Sequence, residues 1–374
     1  MSETIQTIFR YLHRNPELPA MEENTTNYIC EILSRIDGIE IERFDTCYGL
    51  LAKLQGRQPG KKIVFRADID ALPIIEATNL EYKSQNNGVM HACGHDIHIS
   101  VAIELARKLA EDRERFNGEV YFLFQPEEEN ALGAKKVLAS KKLAGMDLTL
   151  SLHTNPGMNC GEIGIKSGPI TANVDRFRIV VDGTGCHGAQ PQNGRDPIVA
   201  ASAIVMALQS IVSRNVNPAE RAVVSVTHFD GGKDWNIIPA QVILEGTVRT
   251  FDAQTRTMVK EQIEHISTSV AEAYGTRAAM EMTDGPIATN NDEKITVIAK
   301  DYGLKHGYAV VEGEQSMVGE DYAFIQREIP GLMVWLGVGK GPGLHNPEYV
   351  ADARAIETGA SYFAGLIQQL LNER

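Results

Sequence analysis

"HACGHDIHISVAIELARKLAED", His91–Asp112, holds two patterns in one stretch. Its first six residues crowd two histidines, a cysteine and an aspartate around Gly94, and the rest repeats apolar side chains at helical spacing, with Asp96 placed to cap the helix. Short apolar runs flank it, "KKIVFRADI" (61–69) before and "EVYFLFQ" (119–125) after. Bounded runs of this kind on either side of a helix read as buried strands of a mostly parallel sheet. The alternation extends outward through helical "SETIQTIFRYLHR" (2–14) and "NTTNYICEILSRI" (24–36) and the strand-like "YGLLAKL" (48–54) and "LTLSLHT" (148–154). An α/β layer follows.

The middle of the chain changes character. "VDRFRIVVDG" (174–183) alternates as a strand, and "DPIVAASAIVMALQSIVSRN" (196–215) is a helix with an Asp cap and Pro in first position. Strands "RAVVSVTHF" (221–229) and "AQVILEGTVRTF" (240–251) follow, then a helix ended by Gly275 and a strand "RAAMEMTD" (277–284). The order β-α-β-β-α-β is ferredoxin-like. The α/β pattern resumes with "LMVWLGVG" (332–339) and the helical "ARAIETGASYFAGLIQQLL" (353–371). The expected organisation is one α/β domain in two segments, 1–172 and 286–374, interrupted by an insert over 173–285.

Bulk properties narrow the classes. The 374 residues are 43% hydrophobic and 23% charged, ordinary for a soluble globular protein, and no run suggests a bilayer span or a secretory signal. A net charge of −13 argues against nucleic acid or an anionic membrane as partner. Five scattered cysteines lack a disulfide framework, which points to a reducing cytoplasm.

Chemistry concentrates at the ends of the apolar runs. By itself "HACGHD" fits a metal site and a buried Cys/His pair alike; in an extended segment Cys93 and His95 would project to one side. "FLFQPEEENALGAKK" ends a strand in Glu127, Glu128 and Glu129, which reads either as an exposed acidic loop or as carboxylates meeting cations. His153 ends "LTLSLHTNP", and His345 follows "LMVWLGVG". Sites in open α/β sheets form beyond the carboxyl ends of strands, so these segments deliver Cys, His, Glu, His and His to one edge. That recurrence points to metal. Asp68 and Asp70 in "RADIDALP" suit turn chemistry and support of a ligating imidazole equally. "GTGCHG" (183–188) formally matches a dinucleotide loop, but the next helix begins only near Pro197, so no cofactor phosphate is expected there.

Together, "RADIDALP", "MHACGHD", "FQPEEE", "LHTNP", "GTGCHGAQP", "NIIP", "LEGTVRT" and "LHNPEY" resemble the dinuclear metal-dependent aminoacylase/carboxypeptidase family nearly end to end. The similarity is to its N-acyl-amino-acid amidohydrolase branch, which includes hippurate, indoleacetyl-amino-acid and N-acetyldiaminopimelate hydrolases. It implies a catalytic domain with two divalent metal ions, a lid domain that also pairs subunits into a homodimer, and hydrolysis of N-acyl amino acids. Carried over, Cys93, His95, Glu129, His153 and His345 would be the metal ligands, with Cys93 bridging, and Glu128 the general base. Adjacent Glu128 and Glu129 are expected to diverge and so divide these tasks. His187 would reach the partner subunit's site and polarise the scissile carbonyl; Asn236 and Arg249 would hold the substrate carboxylate. For Arg249 a cross-strand ion pair is the plainer reading. Mixed S/N/O ligation suits manganese or zinc, with cobalt and nickel also open. Glu127, where the branch commonly has alanine, is expected to add negative charge near the site. A metallocarboxypeptidase or dipeptidase, a cysteine hydrolase using Cys93 or Cys186, and a structural metal clamp are the competing readings.

Overall fold

A computed structural model describes residues 3–373. The chain divides into two compact units. The first runs to Ile170 and resumes with Thr289–Glu314 and from Asp321 onward; the second is Thr171–Ala288 with Gln315–Glu320.

Up to Ile170 the first unit lays down these strands of its main sheet: β1 Ile39–Arg43, β2 Leu50–Gln55, β3 Lys62–Asp68, β4 Glu119–Gln125, β5 Leu148–Asn155 and β6 Ile163–Ile165. Its helices there are α1 Ile5–Arg14, α2 Glu23–Leu33, α3 His95–Glu111 and α4 Gly133–Ala139. The second unit comprises β7 Asn173–Asp182, α5 Pro197–Ser210, β8 Ala222–Asp230, β9 Gln241–Thr250, α6 Ala253–Ala273 and β10 Arg277–Asp284. The chain then returns to the first unit through α7 Glu293–Lys305, β11 Val310–Glu312, α8 Tyr322–Glu328, β12 Gly331–Gly337 and α9 Arg354–Asn372.

The first unit's sheet has the order β1-β2-β4-β3-β5-β12-β6-β11. Its centre is parallel from β4 through β3 and β5 to β12, while β1, β2 and β6 pair antiparallel with their inner neighbours. Helices cover both faces, so β5 and β12 bury almost every residue, and α3 packs with α9, Val101 lying beside Gly359. Parallel pairing leaves the carboxyl ends of β3, β4 and β5 along one edge, and there the polar side chains emerge.

The start of α3 differs from expectation. Its cap position is Gly94, in the left-handed region (φ 84°), rather than Asp96. A β-carbon on Gly94 would lie 2.5 Å from Thr154 Oγ1 and 2.6 Å from Tyr349 Oη, so neither the backbone angle nor the space admits a side chain. Asp96 sits within the first turn; its Oδ1 accepts the Ile97 N–H and its Oδ2 pairs with His13.

In the second unit the sheet order is β8-β9-β7-β10, antiparallel throughout. With α5 and α6 between its strands, it has the β-α-β-β-α-β order of a split βαβ arrangement. Asp196 caps α5 by accepting the Ile198 N–H, and Ala200, Ala201, Ile204 and Leu208 enter the core with Phe177 and Leu244. The stretch Pro197–Asn215 is long and apolar enough to cross a membrane by length and composition alone, yet this face of it closes a protein core.

Candidate metal centre

Among the potential metal-holding clusters of the described residues, three overlap at the carboxyl edge of the first unit's sheet through the expected ligands: Cys93 with His95 and His153, Cys93 with Glu129 and His345, and His95 with Glu128 and Glu129; Asp68, His95 and His98 form another. Within each, the donor atoms lie within 4.8 Å of one another. Cys93, His95, Glu129, His153, His345 and Glu128 are therefore brought together. The route differs from the extended-strand argument. Cys93 and His95 converge because Gly94 turns through the left-handed region between them. Glu128 and Glu129 do not diverge, because they lie in a turn entered at Glu127 with φ 57°, where strand alternation does not apply.

Hydrogen bonds aim the imidazoles. His95 Nδ1–H donates to the Asp70 carbonyl at 2.8 Å and His153 Nδ1–H to the Thr154 carbonyl at 2.9 Å, leaving both Nε2 lone pairs facing the cluster. His153 Nε2 lies 3.5 Å from Cys93 Sγ. His345 reaches in from a loop, its Nε2 3.5 Å from Glu129 Oε1 and its own N–H donated to the Ala92 carbonyl. Glu128 Oε1 accepts the Asp321 N–H at 3.3 Å.

The donor atoms fit a cation. His95 Nε2 and Glu129 Oε1 are buried without a hydrogen-bond partner among the described residues, 3.9 Å from each other. Buried polar atoms are rarely left so. Burial would lower His95, but Asp68, Asp70 and Glu129 outweigh it and push the imidazole up to about 10, so these carboxylates draw a positive charge to Nε2 that a cation would supply in place of a proton. His153 goes the other way: burial lowers it to about 4, keeping it neutral as a ligand must be. Glu129, despite burial, is held below the usual carboxylate range by the nearby imidazoles of His345 and His95.

Beneath the cluster lies a buried network that sequence reasoning reaches at Asp68 and Asp70, as one of two readings, but misses at Arg66, His98 and Asp321. Asp68 Oδ1 pairs with His98 Nδ1 at 2.5 Å, and Asp68 Oδ2 accepts from Arg66 at 2.7 Å. Arg66 also donates to Asp321 at 2.9 Å and to Gln125 at 3.0 Å. His98 Nε2 accepts the Thr154 N–H, so Nδ1 carries its proton toward Asp68. His98 thus ties the end of β3 to the end of β5. Its spacing, one helical turn after His95, was the available signal. Asp70 supports from two sides, its carbonyl on His95 and its Oδ2 accepting the Glu129 N–H at 3.0 Å. Glu127 turns away: Lys136 Nζ lies 2.5 Å from its Oε1, so the expected extra charge is compensated where it stands.

The other candidates belong to the second unit. His187 and Asn236 adjoin across a short antiparallel pair, Cys186–His187 with Ile237–Ile238, where the Gly188 N–H donates to the Asn236 carbonyl at 2.8 Å. His187 is exposed. Arg249 lies near the opposite end of β9, eight residues and therefore ~26 Å from Gln241. It is half-buried between Val174 and Val223 and makes no ion pair among the described residues, so a cross-strand ion pair is not its role.

The fold and the donor set together define the metallopeptidase class. The chain belongs to peptidase family M20/M25/M40, whose model matches residues 64–369. It is 41% identical over 356 residues to an N-acetyl-L-cysteine deacetylase of Bacillus subtilis (strain 168), covering 95% of this chain and 85% of that protein. An N-acetyldiaminopimelate deacetylase of Geobacillus sp. (strain WCH70) is 37% identical over 368 residues, 96% of each. The crystal structure of a Bacillus subtilis dinuclear metal-binding peptidase from the M20 family superposes with a TM-score of 0.90 at 38% identity, covering 99% of this chain and 98% of that one.

Proposed function

We propose that the protein hydrolyses the amide bond of N-acyl amino acids, with two divalent cations held by Cys93, His95, Glu129, His153 and His345 and with Glu128 as general base. One observation carries the reading: five donors and an additional carboxylate from separate segments gather within a few ångströms at one strand edge. A structural site is normally closed by four ligands, whereas this one has a sixth group to spare. The bound cations would supply Lewis acidity toward the acyl oxygen and acidify a water. Glu128, steadied by the Asp321 N–H, takes the proton and returns it to the leaving amine. Manganese and zinc both suit the donors.

The same reading makes residues 171–288 a lid that pairs two subunits. Val199 and Met206 on α5 and Trp235 are exposed, and β8 is an edge strand of its sheet. His187 of one subunit, with Asn236 beside it, then serves the partner's site by steadying the oxyanion. A cytoplasmic setting suits the five scattered cysteines. The deciding experiment is a panel of N-acyl amino acids, acetyl to benzoyl, assayed with manganese, zinc, cobalt and nickel by amine release. Turnover of peptides with none of the N-acyl substrates would replace this reading with a dipeptidase.

A further inference from the structure

The turn bearing Glu128 is fastened from the amino-terminal segment. Glu22, immediately before α2, is wholly buried, and its Oε1 accepts the backbone N–H of Glu127 at 2.9 Å. Glu127 and Ala131 both adopt left-handed backbone (φ 57° and 58°), a conformation that disfavours L side chains and persists only where surroundings impose it. On the other side of Glu128, Asp70 Oδ2 accepts the Glu129 N–H. Glu128 is thus bracketed by two buried carboxyl groups, each gripping a neighbouring backbone N–H. Glu22 is itself secured, because Thr26 Oγ1 donates to its carbonyl at 2.6 Å and accepts the Gly49 N–H at 2.9 Å.

The second oxygen of Glu22, Oε2, is buried without a hydrogen-bond partner among the described residues. Burial, reinforced by the charge of Asp70, pushes this carboxyl up to about 7. A buried acid with so little satisfaction is unfavourable, and an apolar residue would fill the same space at less cost. The one thing an apolar residue cannot do is accept the Glu127 N–H.

We infer that Glu22 is a positioning residue for catalysis: by holding the backbone of Glu127, it aims the Glu128 carboxylate into the metal-ligand cluster. The inference rests on Glu128 being the base. Steady-state kinetics on an N-acetyl amino acid, with metal content measured on each preparation, tests it through Glu22→Ala, Glu22→Gln, Glu128→Gln and the double variant Glu22→Ala/Glu128→Gln. Glu22→Ala should lower kcat by roughly ten- to a hundredfold with KM and metal stoichiometry unchanged, the loss expected of an ångström-scale misplacement. Glu22→Gln keeps an acceptor and should recover kcat to within about threefold. In the Glu128→Gln background the Glu22→Ala change should cost less than about twofold, since nothing remains to be aimed. Should Glu22→Ala not fold, Glu22→Met keeps the volume, removes the acceptor and takes its place. Equal losses in both backgrounds, Glu22→Gln no better than Glu22→Ala, or a normal kcat in Glu22→Ala each overturn the inference while leaving the base in place. Wild-type turnover by Glu128→Gln removes the base, and this proposal with it.

Discussion

In the first unit, β3, β4, β5 and β12 are buried nearly throughout and their carboxyl edge gathers Asp68, Asp70, His95, His98 and Glu128 out of solvent. In the second, β7 and β9 alternate between buried and partly exposed residues, and most charges face water in pairs such as Arg176 with Glu245, Asp175 being a buried exception held by Arg256 and Lys260. Both units have an apolar interior. What separates them is where polarity is hidden. A sheet covered on both faces can hide charge only by pairing it, and paired, desolvated groups are what hold a cation and poise an acid.

The contrast can be broken by experiment, most forcefully at the strand edge. Exhaustive chelation should abolish amide hydrolysis and added manganese or zinc should restore it; full activity in the metal-free protein would favour Cys93 as a nucleophile paired with His153. Glu128→Gln should keep its metal while kcat falls by ~10² or more, read from metal content and initial rates on one preparation. Mixing inactive Glu128→Gln and His187→Ala subunits should restore activity to about a quarter of wild type, because half the dimers then own one complete site. No recovery after verified subunit exchange would confine His187 to its own subunit or remove it from catalysis.

Stability measurements sharpen the same contrast. Arg66 is fully buried between Asp68 and Asp321, so Arg66→Met should cost about 3–5 kcal/mol by urea denaturation. His13 comes next. Burial would lower it, but Asp96 and Glu76 raise it to about 9. A group raised in the folded state contributes its stability below its ordinary pKa and loses it as pH climbs through the raised value. The unfolding free-energy gap between wild type and His13→Gln, from urea denaturation, should therefore be widest near pH 6, roughly 2–3 kcal/mol, and close toward pH 9.5. A gap independent of pH would mean packing rather than charge. Arg176→Ala, on the solvated face, should stay within ~0.5 kcal/mol.

Much of this was legible in the sequence because strands announce their own ends. An apolar run that stops at His153, or at three consecutive glutamates, states where chemistry can emerge, and parallel order then gathers the ends. The two periods, continuous in β5 and alternating in β9, are visible residue by residue. What was hidden is of two kinds. Local backbone inversions at Gly94 and Glu127 decide how neighbouring side chains face, and no periodicity encodes them. Long-range supports are equally silent: Glu22 and Glu127 are 105 residues apart, and Arg66 meets Asp321 across 255. Their residue types are ordinary; only the fold makes them partners.

The place of β12 between β5 and β6 carries a consequence for how the protein is made. During vectorial synthesis the sheet stays split until Gly331–Gly337 has left the ribosome, and His345 follows later still. From His153 to His345 is 192 residues, on the order of 10–40 s of elongation, during which the thiol and carboxylates of the strand edge stand unassembled. The intervening second unit owns all four strands of its sheet and can close first. Stalled nascent chains ending before residue 331 should then protect 171–288 from protease while the segment before them is cut. The proposed ligand set would be complete only once His345 has emerged.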